Sequence, residues 1–477
     1  MTGSISSIGI GSGLDVESII SQMVAIEKKP LDLLQTQATK IQTQISTYGQ
    51  ISSLVSTLQD AASALSLDGT WNTKTVTSSN SSAITAKATG NPSATSFSMG
   101  VSQLARAQSA ASGVVAAGSP VGAGTLSIQL GAWSGDASTF TPGTAAAVDI
   151  GVSSTDTLTS VAAKINDANA GVVATVLTDA SGQRLLLRSK DTGEAAGFRV
   201  QATESGGAGL SALSFDPQNA SGVGMAADMA TYQSGLDAKA TINGVAVTSA
   251  TNTFSSLFAG LSVTATAVTT APAEIQVATD SDSIKSSIQS FVDAYNALND
   301  LLSTSTKYDS DTNTAGVMQG DSSTVNLMNS LRSVVTGVLG SGAYQHLSDI
   351  GIEFQRGGDL KITNESKLDD ALGNSAELKT LFTAKDGSGN ATGIAARMKS
   401  FATMLLSTDG LVTTKYGALE KASSRNVDEQ GKVNDKATSL ESRLRAQYTA
   451  LDTQMAQLTS LSTFMTQQIT NWNKSKG

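Results

Sequence analysis

Leu444, Tyr448, Leu451, Met455 and Leu458 recur at alternating spacings of four and three. After a slip at Ser462 the series continues through Met465, Ile469 and Trp472. That alternation puts these side chains on one stripe of an α-helix, the seam of a coiled coil. Nothing within the helix can cover such a stripe, so it requires a partner: the other end of the chain or another subunit. A matching series stands near the start. Leu34, Ala38, Ile41, Ile45 and Tyr48 keep the alternation, and Ile51, Val55, Leu58, Ala62 and Leu65 extend it. The step from Tyr48 to Ile51 repeats a three, a stammer that overwinds a supercoil locally. Gly49 sits at that break and costs about 1 kcal/mol relative to alanine in a helix. One such stripe alone would suit an ordinary amphipathic helix inside a domain. Two of them, with a polar middle between, predict a stem built from both termini.

The intervening residues read in a definite order. Ser12-Gly13-Leu14-Asp15 fits a capping box before an apolar run, and Val16, Ile20 and Met23 then share a face widened by Ile19, Val24 and Ile26. Pro30 ends or kinks that helix, because proline disfavours the α region at the residue before it. It is tolerated in the first turn of a second helix, expected over 31–67. After Trp71 polar and β-branched residues alternate, with a turn at Gly90-Asn91-Pro92, which predicts short antiparallel strands. A short helix is expected over 157–166, strands over 172–177 and 184–188, and a hairpin over 239–247 on Asn243-Gly244. Helical spacing returns with Ile284, Ile288, Phe291, Tyr295, Leu298 and Leu302. Helices are expected over 322–340, 366–384 and 392–407, a hairpin around Gly357-Gly358, and a last helix from near Tyr416. The fold class is therefore α+β and multidomain: a helical coiled-coil stem from both termini plus two inserted β-rich head domains.

Composition removes most chemistry. At 477 residues the chain has room for about three domains. Charged residues make up 15%, against about 25% in ordinary soluble proteins. The net charge of −9 is spread along the chain with no basic cluster, which argues against nucleic-acid binding. Cysteine is absent, so disulfides, thiolate catalysis and sulfur-ligated metals are excluded. The single histidine, His346, lies in an expected turn and makes a poor base for a catalytic triad. Gly9-Ile10-Gly11-Ser12-Gly13 lacks the preceding strand and the Lys-Ser/Thr of a phosphate loop. Asp309-Ser310-Asp311-Thr312-Asn313 starts like a calcium loop, but Thr314 and Gly320 stand where it needs Gly and Glu. Asp369-Asp370 belongs to a solvated face. No catalytic, cofactor or metal site is expected. No run of 18 apolar residues predicts a membrane span, and the first residues lack the basic and apolar regions of a secretory signal.

Several segments resemble one family. Gly11-Ser12-Gly13-Leu14-Asp15-Val16-Glu17-Ser18-Ile19-Ile20 with Glu27-Lys28-Lys29-Pro30-Leu31, and Ser102-Gln103-Leu104-Ala105-Arg106-Ala107-Gln108, are similar to the N-terminal signature of the flagellar filament capping proteins, the hook-associated protein 2 family. Ile165-Asn166-Asp167-Ala168-Asn169-Ala170-Gly171-Val172 with Arg184-Leu185-Leu186-Leu187-Arg188-Ser189-Lys190-Asp191-Thr192-Gly193 looks like a module inserted in hook and cap proteins. Phe291-Val292-Asp293-Ala294-Tyr295-Asn296 and the run from Tyr448 to Gln468 complete a resemblance that spans nearly the whole chain.

The resemblance implies a structural cap at the distal tip of the bacterial flagellar filament, which promotes folding and insertion of exported flagellin and prevents its loss. Implied partners are a homo-oligomeric ring, flagellin, the flagellar export apparatus with an export chaperone at the C-terminus, and a host mucin or glycoprotein; nucleic acid and membrane insertion are not among them. The implied location is secreted, at the filament tip. Competing readings are a hook–filament junction or filament subunit, and a tip-displayed adhesin. The expected division is an N-terminal leg helix (1–42), a stem in two parts (43–73 and 280–436), a first β-rich head domain in two parts (74–112 and 234–279), a second carrying the inserted module (113–233), and a C-terminal leg helix (437–477). The self-assembly seam is assigned to Leu14, Ile20, Met23, Leu34, Ile41, Ile45, Leu444, Tyr448, Leu451, Met455, Leu458, Met465 and Ile469.

Overall fold

The structure, a computed structural model, describes residues 15–219, 224–225, 231–311, 313–337 and 342–474. It divides into two compact units, Met1–Trp71 with Ser281–Gly477 and Asn72–Asp280. Three helices open the chain: α1 (Val16–Lys28), α2 (Pro30–Ser66) and the short α3 (Asp68–Asn72). Seven strands follow: β1 (Lys74–Ser78), β2 (Ile84–Ala88), β3 (Thr95–Gln103), β4 (Ser109–Ala111), β5 (Gly124–Trp133), β6 (Phe140–Pro142) and β7 (Val148–Val152). Helix α4 (Leu158–Asp167) precedes β8 (Val172–Asp179), β9 (Gly182–Ser189) and β10 (Gly197–Glu204). The β-rich unit closes with β11 (Ala238–Ile242), β12 (Val245–Ser249), β13 (Thr253–Phe258), β14 (Leu261–Ala265) and β15 (Ala273–Thr279). Helix α5 (Ser281–Thr306) leads to the hairpin β16 (Tyr308–Asp309) and β17 (Thr314–Ala315), then α6 (Ser322–Thr336). A second hairpin, β18 (Ile352–Phe354) and β19 (Leu360–Ile362), precedes α7 (Glu365–Gly373), α8 (Ser375–Thr383), α9 (Ile394–Leu406) and α10 (Leu411–Lys474).

In the helical unit the later half of the N-terminal stripe is spent on the core. Tyr48, Ile51, Val55, Leu58, Ala62 and Leu65 are buried with the Ile284 to Leu302 face of α5 and with Met398 and Ala402 of α9. This corrects the expectation that residues 34–65 as a whole would cover the C-terminal stripe, since a side chain packed into a core cannot also serve a seam. Polar groups in this core find partners. The Tyr48 hydroxyl lies 2.8 Å from Thr324 Oγ1, and Tyr295 donates to the Gly358 carbonyl at 3.0 Å. Local chemistry moves several helix ends from their expected positions. The Asp15 carboxylate, rather than Ser12, caps α1 by accepting from the Ser18 N–H at 3.1 Å; Ser12 lies outside the described residues. Asn374 leaves the α region (φ −112°, ψ 57°) and splits the helix expected over 366–384 into α7 and α8. Gly337 turns extended and ends α6. Lys29 stays helical and its N–H bonds the Ile26 carbonyl, so α1 and α2 run nearly end to end past Pro30.

Among the described residues every strand pair in the β-rich unit is antiparallel. One core lies between the sheet ordered β1-β15-β3-β11-β12 and the sheet β13-β14-β2, around Phe97, Met99, Val263 and Ile275. The entry and exit strands are direct neighbours, with Lys74 opposite Thr279, so the insertion closes on itself. Asn243 and Gly244 both take positive φ, the turn an Asn-Gly hairpin requires. The other core lies among β10-β5-β6, β7, the sheet β4-β9-β8 and α4, around Leu126, Ile165, Leu185, Leu187 and Phe198. Strands β8 and β9 run further than expected and leave a two-residue loop, because Asp179 accepts from the Ser181 N–H at 2.7 Å and closes the turn itself.

Four carboxamides stand in for missing strands, each bonding both the N–H and the C=O of one residue. Gln108 pairs with Phe198 at 2.9 and 2.8 Å, and Asn166 with Ala174 at 2.8 Å in both directions. Asn252 pairs with Ala105 at 2.7 and 3.0 Å, and Asn296 with Leu360 at 2.7 and 2.8 Å. Gln108 is fully buried. Replacing it with leucine strands the Phe198 N–H in an apolar core, a loss of about 1–3 kcal/mol for each orphaned group. Urea unfolding of Gln108→Leu should show the β-rich unit melting earlier by about this amount, while the helical unit keeps its midpoint.

Candidate functional site: the terminal-helix seam

Helix α1 repeats apolar residues every four positions, and so does the α10 segment facing it. Val16, Ile20 and Val24 pack with Leu440, Leu444 and Tyr448, a small cluster separate from the main core. The helices run antiparallel, since Leu34, further along the N-terminal pair, lies beside Asn426, further back on α10. Asn426 is buried, donates to the Leu34 carbonyl at 3.1 Å and accepts from Gln430 at 2.6 Å. A buried polar side chain bonded across a seam favours one register, because a slipped pairing takes the Leu34 carbonyl away from its amide N–H.

An ion-pair bridge flanks the cluster. Arg445 donates both terminal nitrogens to Glu17, one at 2.9 Å to Oε2, and its Nε to Glu441 at 3.0 Å. A guanidinium fork matches a carboxylate in this way. The Arg445 hydrogen bond holds the Glu17 carboxyl below its usual range, and the two carboxylates push the Arg445 guanidinium above its own. The pair is solvent-exposed, so it contributes orientation more than stability.

Past Tyr448 the stripe loses its cover. Met455 is half-buried, whereas Leu451, Leu458, Met465 and Ile469 are exposed, as are Leu461 and Phe464 beside them, and Trp472 is 66% exposed. From Leu451 to Trp472 the uncovered stripe is roughly 30 Å long at 1.5 Å per residue. Among the residues assigned to the seam, the structure brings together Ile20, Leu444 and Tyr448. Leu34, Ile41 and Ile45 are half-buried on α2, with Ile45 against the main core. Met23, at 42% exposure, faces away from the cluster, because the four-residue step from Ile20 selects Val24 instead. Leu14 lies outside the described residues. Sequence reasoning missed Leu440, whose signal was its four-residue step back from Leu444. It also missed Asn426 and Arg445, since a buried asparagine or a bridging arginine looks like any surface polar residue until its partner is placed. Among the described residues no group of three His, Asp or Glu converges as a metal site, and no helix is long and apolar enough to cross a membrane.

Comparison with known proteins adds a family. Residues 12–108 match the flagellar hook-associated protein 2 N-terminus, residues 235–460 its C-terminus, and residues 134–191 the flagellin hook IN motif. The chain is 29% identical to the flagellar hook-associated protein 2 of Escherichia coli K12 over 99% of this chain and 100% of that protein. It is 30% identical to the B-type flagellar hook-associated protein 2 of Pseudomonas aeruginosa over 95% of each. The crystal structure of the D1-D2-D3 domains of the Escherichia coli flagellar cap protein FliD is similar, with a TM-score of 0.57 and 26% identity over 78% of this chain and 99% of that one.

The Glu17–Arg445 bridge should give the seam a modest dependence on acid, since an exposed pair is screened by water. The folded pKa of Glu17 lies below its unfolded value, so its contribution is complete above the ordinary carboxylate range and is lost as pH falls through the folded value. Hydrogen exchange should show the amides of 16–24 losing protection in acid, and Glu17→Gln should flatten that dependence. An identical acid profile in the variant would mean that the bridge does not hold the helices together.

Proposed function

Because the chain belongs to the flagellar hook-associated protein 2 family, we propose that it caps the distal tip of the bacterial flagellar filament, where exported flagellin subunits fold and are inserted beneath it. The observation that carries the reading is the α10 stripe: one end is anchored on α1, and the next 30 Å or so offers leucines, Met465, Phe464 and Trp472 to solvent. An uncovered apolar helix face of that length suits an assembly surface. Methionines on it can repack against partners that change with each inserted subunit.

In this reading residues 1–42 and 437–477 are legs, 43–73 with 280–436 the body that carries them, and 74–279 the head. Copies of the chain form a ring, and flagellin meets the legs. The chain reaches the tip through the flagellar export apparatus with a chaperone on its C-terminal stripe, and the head is the part displayed to a host mucin or glycoprotein. The work is mechanical and the chain acts without a cofactor.

Truncation after Asp452 removes the open stripe beyond Leu451 and keeps Leu444, Arg445 and Tyr448 in place. Cells carrying that variant, or Leu458→Lys with Met465→Lys, should make few or short filaments and shed flagellin monomer into the medium. The purified variant should keep its β-rich unit folded. Normal filaments without leakage would remove the stripe from the mechanism, and label found along the shaft or at the hook instead of the tip would favour a junction or filament subunit.

A further inference from the structure

Strand β8 forms the margin of its sheet and pairs only with β9. It runs Val172-Val173-Ala174-Thr175-Val176-Leu177-Thr178 before its first charge at Asp179, without a proline. Natural sheets blunt such margins or cover them. Two neighbouring margins are bridged by backbone, Val200 on β10 by Phe215 and Ser109 on β4 by Gln233. On β8 a single residue is protected: Asn166 occupies both backbone groups of Ala174. That bonding shows that Ala174 turns its N–H and C=O away from β9. Alternate residues of an antiparallel strand turn the same way, so Val176 and Thr178 do too. Among the described residues neither has a partner on that side. Val173 and Leu177, 45% and 47% exposed, lie on the open face of the same sheet.

We infer that β8 pairs with β8 of a second copy of this chain, antiparallel about a two-fold axis at Leu177. Two free outward residues separated by one residue are self-complementary under such an axis. Val176 of each copy meets Thr178 of the other, forming two hydrogen-bonded pairs and four backbone hydrogen bonds. Asn166 sets the register, because pairing further towards the N-terminal end of β8 would need the groups of Ala174. Charge agrees with this placement. Two copies of a chain with net charge −9 repel each other overall, but here the paired segment Val176–Thr178 is neutral and Asp179 falls opposite Thr175. The contact is isologous, so it closes at two copies.

The axis puts Leu177 opposite Leu177 in a non-hydrogen-bonded pair, with Cα atoms about 4.5 Å apart, within the span a disulfide bridges. The chain has no cysteine, so Leu177→Cys carries the only thiol in the full-length protein. Under mild oxidation at micromolar concentration this variant should form covalent dimer at least roughly tenfold faster than Val173→Cys, an equally exposed site on the same face that lies far from its own copy. Adding Thr178→Pro should return cross-linking to the control rate. The Thr178 N–H points outward, so this proline removes an intermolecular bond and no bond within the chain. Equal rates for the two cysteine variants, or undiminished cross-linking in the proline double variant, would overturn the proposal. Circular dichroism of each variant confirms that the comparison is made between folded chains.

Discussion

The β-rich unit depends on how it satisfies backbone groups at places where strands run out. Its strands are short, its sheets have many margins, and a buried N–H or C=O left without a partner costs as much as a lost hydrogen bond. A carboxamide is the one side-chain group with a donor and an acceptor spaced to copy a peptide rung. Gln108 and Asn252 use that property to finish margins beside the two β cores, and Asn296 does the same for the β19 hairpin on α5. With so few aromatic residues available to hide poor backbone packing, these substitutions let small sheets end cleanly inside a core.

Helix α2 shows a single sequence pattern divided between two uses. Its four-three stripe runs the length of the helix with one stammer, yet the residues from Ile45 onward pack in or against the main core, and Leu34 lies beside Asn426 of α10. The dividing point falls before the stammer beside Gly49, where the helical face drifts relative to a seven-residue repeat. Nothing in hydrophobic spacing distinguishes a helix–helix core from a supercoil seam at this length. Asn426 makes the distinction physically, since its buried amide N–H bonds across to the Leu34 carbonyl.

Much of the fold was legible for that reason and some was not. The positions of α2, α5, α9, α10 and the Asn243-Gly244 hairpin follow from periodicity and turn chemistry, which act over a few residues and leave a local trace. The division of residues 365–383 into two helices turns on the backbone of Asn374, which carries little signal of its own. The pairing of β4 with β9 places Ser109–Ala111 beside the second core, a contact across more than seventy residues that no local pattern announces. At the seam, Ile20, Leu444 and Tyr448 were readable as a stripe. Their mutual pairing was not, because a stripe states that it needs cover and leaves open what covers it.

The antiparallel seat of α1 on α10 has a consequence for how such a chain acquires its shape. Val16 rests beside Tyr448, and the Glu17–Arg445 bridge joins residues 428 positions apart. Contacts that distant form late, since the intervening chain must first be drawn together. A polypeptide emerging end-first from a narrow conduit therefore cannot close this seam until nearly its whole length has passed through. Whichever end leads, its apolar face waits in water for the other. The joint is thus a contact that closes late, once residues 16–24 and 440–448 are both free to meet.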